Sequence, residues 1–553
     1  MFPTTTTPPQ RFRGRCRLVG AMIAAAVVLS GTASAQTSSA ASAASVVSTV
    51  PTTPSSPAPS ASAPHREIRF AISSDTPTSM PGSVMRNTAT DTILAHVVES
   101  LVALRADMSI GPMLADSWDI SPDGKTYTFH LRHGVRFHNG QTVTAADVKW
   151  SYEYFMNPHT GFYCRRAYDG HAGAKVLGVQ APDRNTVVFS LDKPSALFLN
   201  HMTDPRCPMA VLSRDSVDTQ GKWVHPVGTG PYVFSDWQPG QYVLLKPFDG
   251  YRPRKEEASG LAGTKVAHAD VRFVVIPDET SQMSALMSGQ IDAMNMSEQI
   301  VPPSDPRWHI LSGPGADPAV LLIQNRDPLL SDVRIRRAIA LAADLPGIAN
   351  AVTEGRTGYN PSLVPNASAL ASATTKGGYV QSLPEVKRLL AEAGYRGQTI
   401  TLETNRRYSH MFTMAVYLQS LLSRAGINVK LQVVEWGKQL ADYRAGRFQL
   451  MAFGYTSRTD PALIYADVLG DKSRNALVQW EDPDALALLR SIAGETDDTV
   501  RAKVLAELHE RMLADAPMLV LYDSPDLILV SSRLHGVTAW PMRLKRFYNV
   551  TKD

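Results

Sequence analysis

Cysteine is scarce. Three of 553 residues, Cys16, Cys164 and Cys207, are too few for a disulfide-knit scaffold or a cysteine-rich metal site. An excess of one charge is also lacking. Lys plus Arg number 55 against 51 Asp plus Glu, and four of the cations (Arg11, Arg13, Arg15, Arg17) sit in the first 35 residues, which hold no acid, so the rest balances at 51 to 51. A nucleic-acid partner would need a clustered basic excess, and none is there. Beyond Ile68 no run of about 18 apolar residues could span a bilayer. Catalytic phrases are missing as well: there is no G-x-S-x-G elbow, H-E-x-x-H, Walker loop, or G-x-G-x-x-G after a strand. His509-Glu510 begins a zincin-like phrase, but Leu513 stands where the second ligand would have to be. Gly228-Thr229-Gly230 is followed by Pro231, which has no amide to offer a phosphate, and suggests a tight turn.

What is present begins with an address. Arg11 to Arg17, the apolar stretch Leu18–Leu29 and Ala33-Ser34-Ala35 follow the order of a secretory signal peptide, giving a leader over 1–35. No Cys follows the small-residue site, so the expected product is periplasmic and not lipid-anchored. From Gln36 to Pro64 there is no charge and little apolar bulk, which predicts a disordered Ala/Ser/Pro spacer over 36–67. Cys16 leaves with the leader. Cys164 and Cys207 then remain as an even pair in an oxidising compartment, either bridged or as two buried thiols.

The folded part has legible periods. Tyr127, Phe129 and Leu131 alternate with Thr128, His130 and Arg132, predicting a half-buried strand that turns at Gly134 into a hairpin with Val135–Phe137. His130, His133 and His138 are expected to be separate, solvated hairpin histidines, because odd spacings put neighbours on opposite faces. Thr144 with Asp147 marks a helix start. Between Ser382 and Trp436 two helix-to-strand units follow each other. Ser382 and Glu385 have capping-box spacing, Val386, Leu389, Leu390 and Ala393 form a stripe, and Gly394 is a stop; Ile400 and Leu402 mark a strand. Met411, Ala415, Leu418, Leu421 and Leu422 mark the next helix, and Ile427 to Val433 the next strand. Strand, helix, strand at this spacing implies a parallel pair and an α/β lobe.

Five phrases then point one way. They are Ser121–Gly140 (SPDGKTYTFHLRHGVRFHNG) with Thr144–Trp150 (TAADVKW), Pro226–Phe234 (PVGTGPYVF), Asp332–Ala340 (DVRIRRAIA), Glu435-Trp436-Gly437, and Phe453-Gly454-Tyr455 with Asp460-Pro461. In this order the chain resembles the dipeptide/oligopeptide/nickel-type periplasmic solute-binding proteins of ABC importers, from about Ile68 to the C-terminus.

The resemblance implies an α/β, two-lobe periplasmic-binding-protein fold hinged by two crossover segments near Ile276-Pro277 and Asp523-Ser524. Lobe one would be 68–277 plus 524–553, and lobe two 278–523. It further implies a monomer without enzymatic activity or cofactor that delivers a peptide or peptide-like solute to membrane permease subunits. Alternatives on the same scaffold are a nickel, metallophore or opine binder, with His410 as the candidate metal contact, and a ligand-loaded partner of a chemoreceptor. By the resemblance Arg406 would pair with a ligand carboxylate, Arg407 being the neighbouring register. Tyr408, Trp436 and Tyr455 would lie at the cleft, Trp436 either there or in the core. Ser457 stands where peptide carriers hold an Asp for the ligand ammonium, with Arg458 beside it either at the cleft or on the surface. The expected ligand is therefore anionic, or one whose ammonium is met elsewhere, for which Asp460 is a candidate.

Overall fold

A computed structural model describes residues 66–553 apart from positions 172 and 299. The expected leader and nearly all of the spacer lie outside the described residues.

β1 (Glu67–Ile72) belongs to a ten-stranded mixed sheet, and helix α1 (Thr88–Leu94) follows it. The chain next builds a four-stranded antiparallel sheet from β2 (Ala115–Ile120), β3 (Thr126–Leu131), β4 (Val176–Gln180) and β5 (Thr186–Leu191), in the order β2-β3-β5-β4. Between β3 and β4 runs α2 (Ala145–Met156). Its entry is fixed by Asp147, whose carboxylate accepts from the Thr144 amide at 2.9 Å and hydroxyl at 2.6 Å. The strand expected over 127–132 is present as β3, but its hairpin across Gly134 is not. β3 pairs with β2 and β5 instead, while Val135 and Phe137 bury themselves in a tight loop closed by Val143 N–H to Val135 O and Phe137 N–H to Gln141 O. His138 is accordingly not solvated. Its Nε2 lies 3.0 Å from Gly230 O, and burial pushes it down to about 4. Gly228 and Gly230 do not form a phosphate cradle: a Cβ on Gly228 would stand 2.2 Å from Val97 O, so glycine here admits a close backbone approach.

The large sheet resumes with β6 (Tyr232–Gln238), β7 (Tyr242–Pro247) and β8 (Asp270–Val275), then α3 (Glu279–Met287), β9 (Ala293–Asn295) and the long β10 (Trp308–Ile323). The helix-strand units seen in the sequence follow: α4 (Leu383–Glu392), β11 (Ile400–Thr404), α5 (Ser409–Arg424), β12 (Val429–Val433), α6 (Trp436–Ala445) and β13 (Leu450–Gly454). β11 and β12 are parallel, as expected. The Ser382–Glu385 capping box does not form, because Glu385 is taken by Arg388 one turn on. α7 (Pro461–Val468), α8 (Asp498–Asp515) and the long β14 (Met518–Ser531) complete the frame. The sheet order is β12-β11-β13-β10-β14-β9-β1-β8-β7-β6.

Two strands tie the sheet together. β10 and β14 pair antiparallel over their whole lengths with a register break between Gly313 and Asp317. On one side of the break Leu527 and Leu529 pack with Ala71, Met283, Leu286 and Met294. On the other Leu321, Ile323, Leu519 and Leu521 pack with α4, α5 and β11. A Cβ on Gly315 would stand 1.6 Å from Ser524 O, so only glycine lets the strands meet there. After Ile276-Pro277 the chain stays on the β1 side, since α3 and β9 pack on β1 and β14.

Candidate functional site

The register break opens onto two adjoining cavities of about 540 and 390 Å³. They share Asp317, Thr456 and Arg543. Asp317 stands at the break in β10, and Arg543 comes from the C-terminal segment with φ +58°, the left-handed region that non-glycine residues rarely occupy. The two side chains pair at 3.2 Å, and Asp317 also accepts the Ser457 amide at 2.6 Å.

The smaller cavity is walled by the β11–α5 turn, the start of α6 and the end of β13. A chain of buried amides shapes that turn: Asn405 Oδ1 accepts Tyr408 N–H at 2.8 Å, its Nδ2 donates to Gln439 at 2.7 Å, and Gln439 donates to Ala452 O at 2.8 Å. This holds Arg407 and Tyr408 at the wall. Tyr408 meets Trp436 edge-on at 4.9 Å, Trp436 stacks on Phe453 at 5.9 Å, and Phe453 meets Tyr455 at 5.4 Å. Trp436 thus serves the core and the wall together, and an aromatic face of this size suits a side chain or planar group.

The charges are unevenly matched. Arg86 pairs with Asp91 at 2.6 Å and Arg206 with Asp204 at 2.6 Å on the larger cavity's wall. The Arg407 guanidinium has no acid partner among the described residues and lies 6.0 Å from the Tyr408 ring. Burial pushes Asp91 up to about 7 against the pull of Arg86. Burial likewise raises Glu298 to about 7, with Arg543 opposing, and Glu298 Oε2 has no hydrogen-bond partner. His410 also faces the smaller cavity, lowered to about 4 by burial with Arg543 adding to the effect, so it is neutral near pH 7.

Of the residues singled out in the sequence, Tyr408, Trp436 and Tyr455 line the smaller cavity and Ser457 the larger. Three others lie outside both walls. Arg406 is exposed, its guanidinium 4.2 Å from the Phe412 ring centroid, and its neighbour Arg407 takes the wall position. Arg458 pairs with Asp467 at 2.7 Å and donates to Thr456. Asp460 caps α7 through Ala462 N–H and pairs with buried Arg501 at 2.5 Å. Sequence reasoning missed Asp91, Glu298, Asp317 and Arg543, which come from separate segments and share no motif. Cys164 and Cys207 are bridged, with Cα atoms 5.9 Å apart. Among the described residues no group of three His, Cys, Asp or Glu could hold a metal ion.

Glu298 gives a pH signature. Its folded-state pKa lies above the ordinary glutamate value of 4.5. The folded chain therefore keeps a proton that the unfolded chain releases, and stability falls as pH rises from about 4.5 to about 7, then levels. The expected result is that melting temperature drops across this window by less in Glu298→Gln than in the parent. Identical pH slopes for the two proteins would contradict it.

Residues 109–476 match the family model described as bacterial extracellular solute-binding proteins, family 5 middle. The dipeptide-binding protein of Escherichia coli K12 is 26% identical over 479 residues, covering 80% of this chain and 86% of that one. Heme-binding protein A of Haemophilus influenzae is 25% identical over 511 residues, covering 86% and 90%. Among solved structures HbpA2 from Haemophilus parasuis superposes with a TM-score of 0.74 at 23% identity, covering 88% of this chain and all of that one. Among the described residues no helix is long and apolar enough to cross a membrane.

Proposed function

Because the chain belongs to the family 5 bacterial extracellular solute-binding proteins, the substrate-binding components of ABC importers, we propose that it captures a peptide or peptide-like solute in the paired cavities and hands it to a membrane permease. Its relatives are transport proteins and not enzymes. In this reading the chain is exported, loses residues 1–35, works as a soluble periplasmic monomer and carries no cofactor.

The observation that carries the reading is the smaller cavity, where an aromatic wall meets one unpaired guanidinium and one carboxyl with an unpartnered oxygen. A planar guanidinium can hold a carboxylate with two parallel donors, so Arg407 takes the ligand carboxylate. Asp317 is held by Arg543, so the negative charge that Ser457 cannot supply falls to Glu298, which ionises at about pH 7 and can then meet a ligand ammonium. Arg458 and Asp460 are already neutralised by Asp467 and Arg501, which leaves an anionic preference resting on Arg407. Two lobes close over the ligand by bending of the paired strands. The packing of α3 and β9 on β1 favours placing the first crossover at Gly313–Asp317 rather than at Ile276-Pro277, with the second at Asp523-Ser524.

Arg407→Ala should weaken binding of the solute that copurifies with the chain by about tenfold to a hundredfold, the loss of a charged hydrogen-bonded contact of roughly 1.5–3 kcal/mol. Arg406→Ala should change it by less than about threefold. Calorimetry on the two variants decides between them, and the reverse order would restore Arg406. Neutral His410 favours a second reading, a metal-chelate ligand; binding that vanishes on adding a chelator and in His410→Ala would establish it.

A further inference from the structure

A separate cavity of about 730 Å³ opens on the other end of α6, sharing no residue with the paired cavities. Its wall is formed by β11, the end of β10, the α6–β13 turn and the loop after α7. Seven charged side chains line it, and five of them are matched. Arg326 pairs with Glu481 at 2.7 Å, Lys438 and Arg447 both pair with Asp442, and Asp327 accepts from Gln449 at 3.1 Å.

Two are not. Lys472 is 7% exposed and its Nζ has no hydrogen-bond partner; Glu403 is 3% exposed, makes no ion pair, and its Oε1 has no partner either. Leaving a buried ionised group without a hydrogen-bond partner costs several kcal/mol. Burial acts on both, lowering Lys472 to about 8 against the pull of Glu481 and raising Glu403 to about 7, with Asp442 adding to the effect and Lys438 opposing it, neither opposite charge being within ion-pair distance. The two ends carry opposite signs and are not paired with each other, so one small molecule with both complementary charges would satisfy both.

We propose that this cavity is a second binding site, for a small zwitterion whose carboxylate meets Lys472 and whose ammonium meets Glu403. The Lys472 ammonium and the Glu403 Oε1 are sealed from water in the structure, so the proposal requires both side chains to turn toward the cavity on binding. The site lies outside the cleft assigned above and does not depend on that assignment.

The test titrates the full mature chain calorimetrically with unbranched ω-amino acids from glycine to 6-aminohexanoate, and with butyrate and butylamine as single-charge probes. At least one amino acid should bind one-to-one in the millimolar range or better, and each single-charge probe at least tenfold more weakly. Lys472→Met and Glu403→Gln should each lose at least tenfold, while Arg407→Ala binds like the parent. Lys472→Met removes a buried unpaired charge, so its melting temperature should match or exceed the parent's, separating lost binding from lost folding. The proposal is overturned by no heat from any amino acid, by unchanged affinity in both wall variants, or by loss in Arg407→Ala, which would return the ligand to the cleft.

Discussion

Arg501→Met is expected to cost about 3–5 kcal/mol of unfolding free energy. Arg501 and Asp460 are 6% and 2% exposed and lie 2.5 Å apart. Asp460 is reached from one more side by Asn200, whose amide stands 3.5 Å from the carboxylate and 3.3 Å from Thr459 O. Removing the guanidinium leaves a nearly buried carboxylate with no countercharge, which is the expensive half of a buried pair. The double variant Arg501→Met with Asp460→Asn should recover most of the loss, because neither charge is then buried alone, although Asn keeps only part of the cap on α7. Urea unfolding of the four proteins of this cycle measures the coupling. Asp460→Asn should leave solute affinity within about threefold of the parent. An intact fold with solute binding lost in Asp460→Asn would return that residue to the role its place before Pro461 suggests.

How far the sequence could be read follows from the range of each signal. α4, α5 and β12 were legible because each buries one face and so repeats at its own period, and β11 because its residue types alternate although four of its five residues are buried, with Gly394 and Gly426 in the left-handed conformation that ends the helices. β14 was not, since all 14 of its residues are buried and a strand covered on both faces has no alternation to detect. The cleft wall divides the same way. Tyr408, Trp436 and Tyr455 come from contiguous phrases, whereas Glu298, Asp317 and Arg543 are joined only by the meeting of β10, β14 and the C-terminal segment. One residue of register separates Arg406 from Arg407, and the turn that puts Arg407 on the cavity wall is shaped by the Asn405–Gln439 amide pair, a contact 34 residues long. The outer cavity was invisible for a different reason: Glu403 occupies a polar position in an alternating strand, where a charge is expected to face water.

Replacing both Cys164 and Cys207 by serine should lower stability by about 4 kcal/mol, the chain entropy released when a loop of 43 residues is freed in the unfolded state. The bridge ties the segment after Phe162 to the strand-like run that begins at Cys207, which is fully buried in the larger core. Phe162 is itself seated against Gly82, where a Cβ would stand 2.3 Å from its ring. The next residue before Cys207 is Arg206, held by Asp204 through two guanidinium contacts of 2.9 and 2.6 Å and set in the wall of the larger cavity. Opening the bridge should therefore act on the proposed ligand site as well as on the fold. Urea midpoints of the parent should fall on adding a reductant and those of the serine variant should not, and solute affinity should fall with them, because a looser wall must be ordered again on binding. A change below about 1 kcal/mol in the variant would mean that the packing around Phe162 and Cys207 constrains this segment without the covalent link.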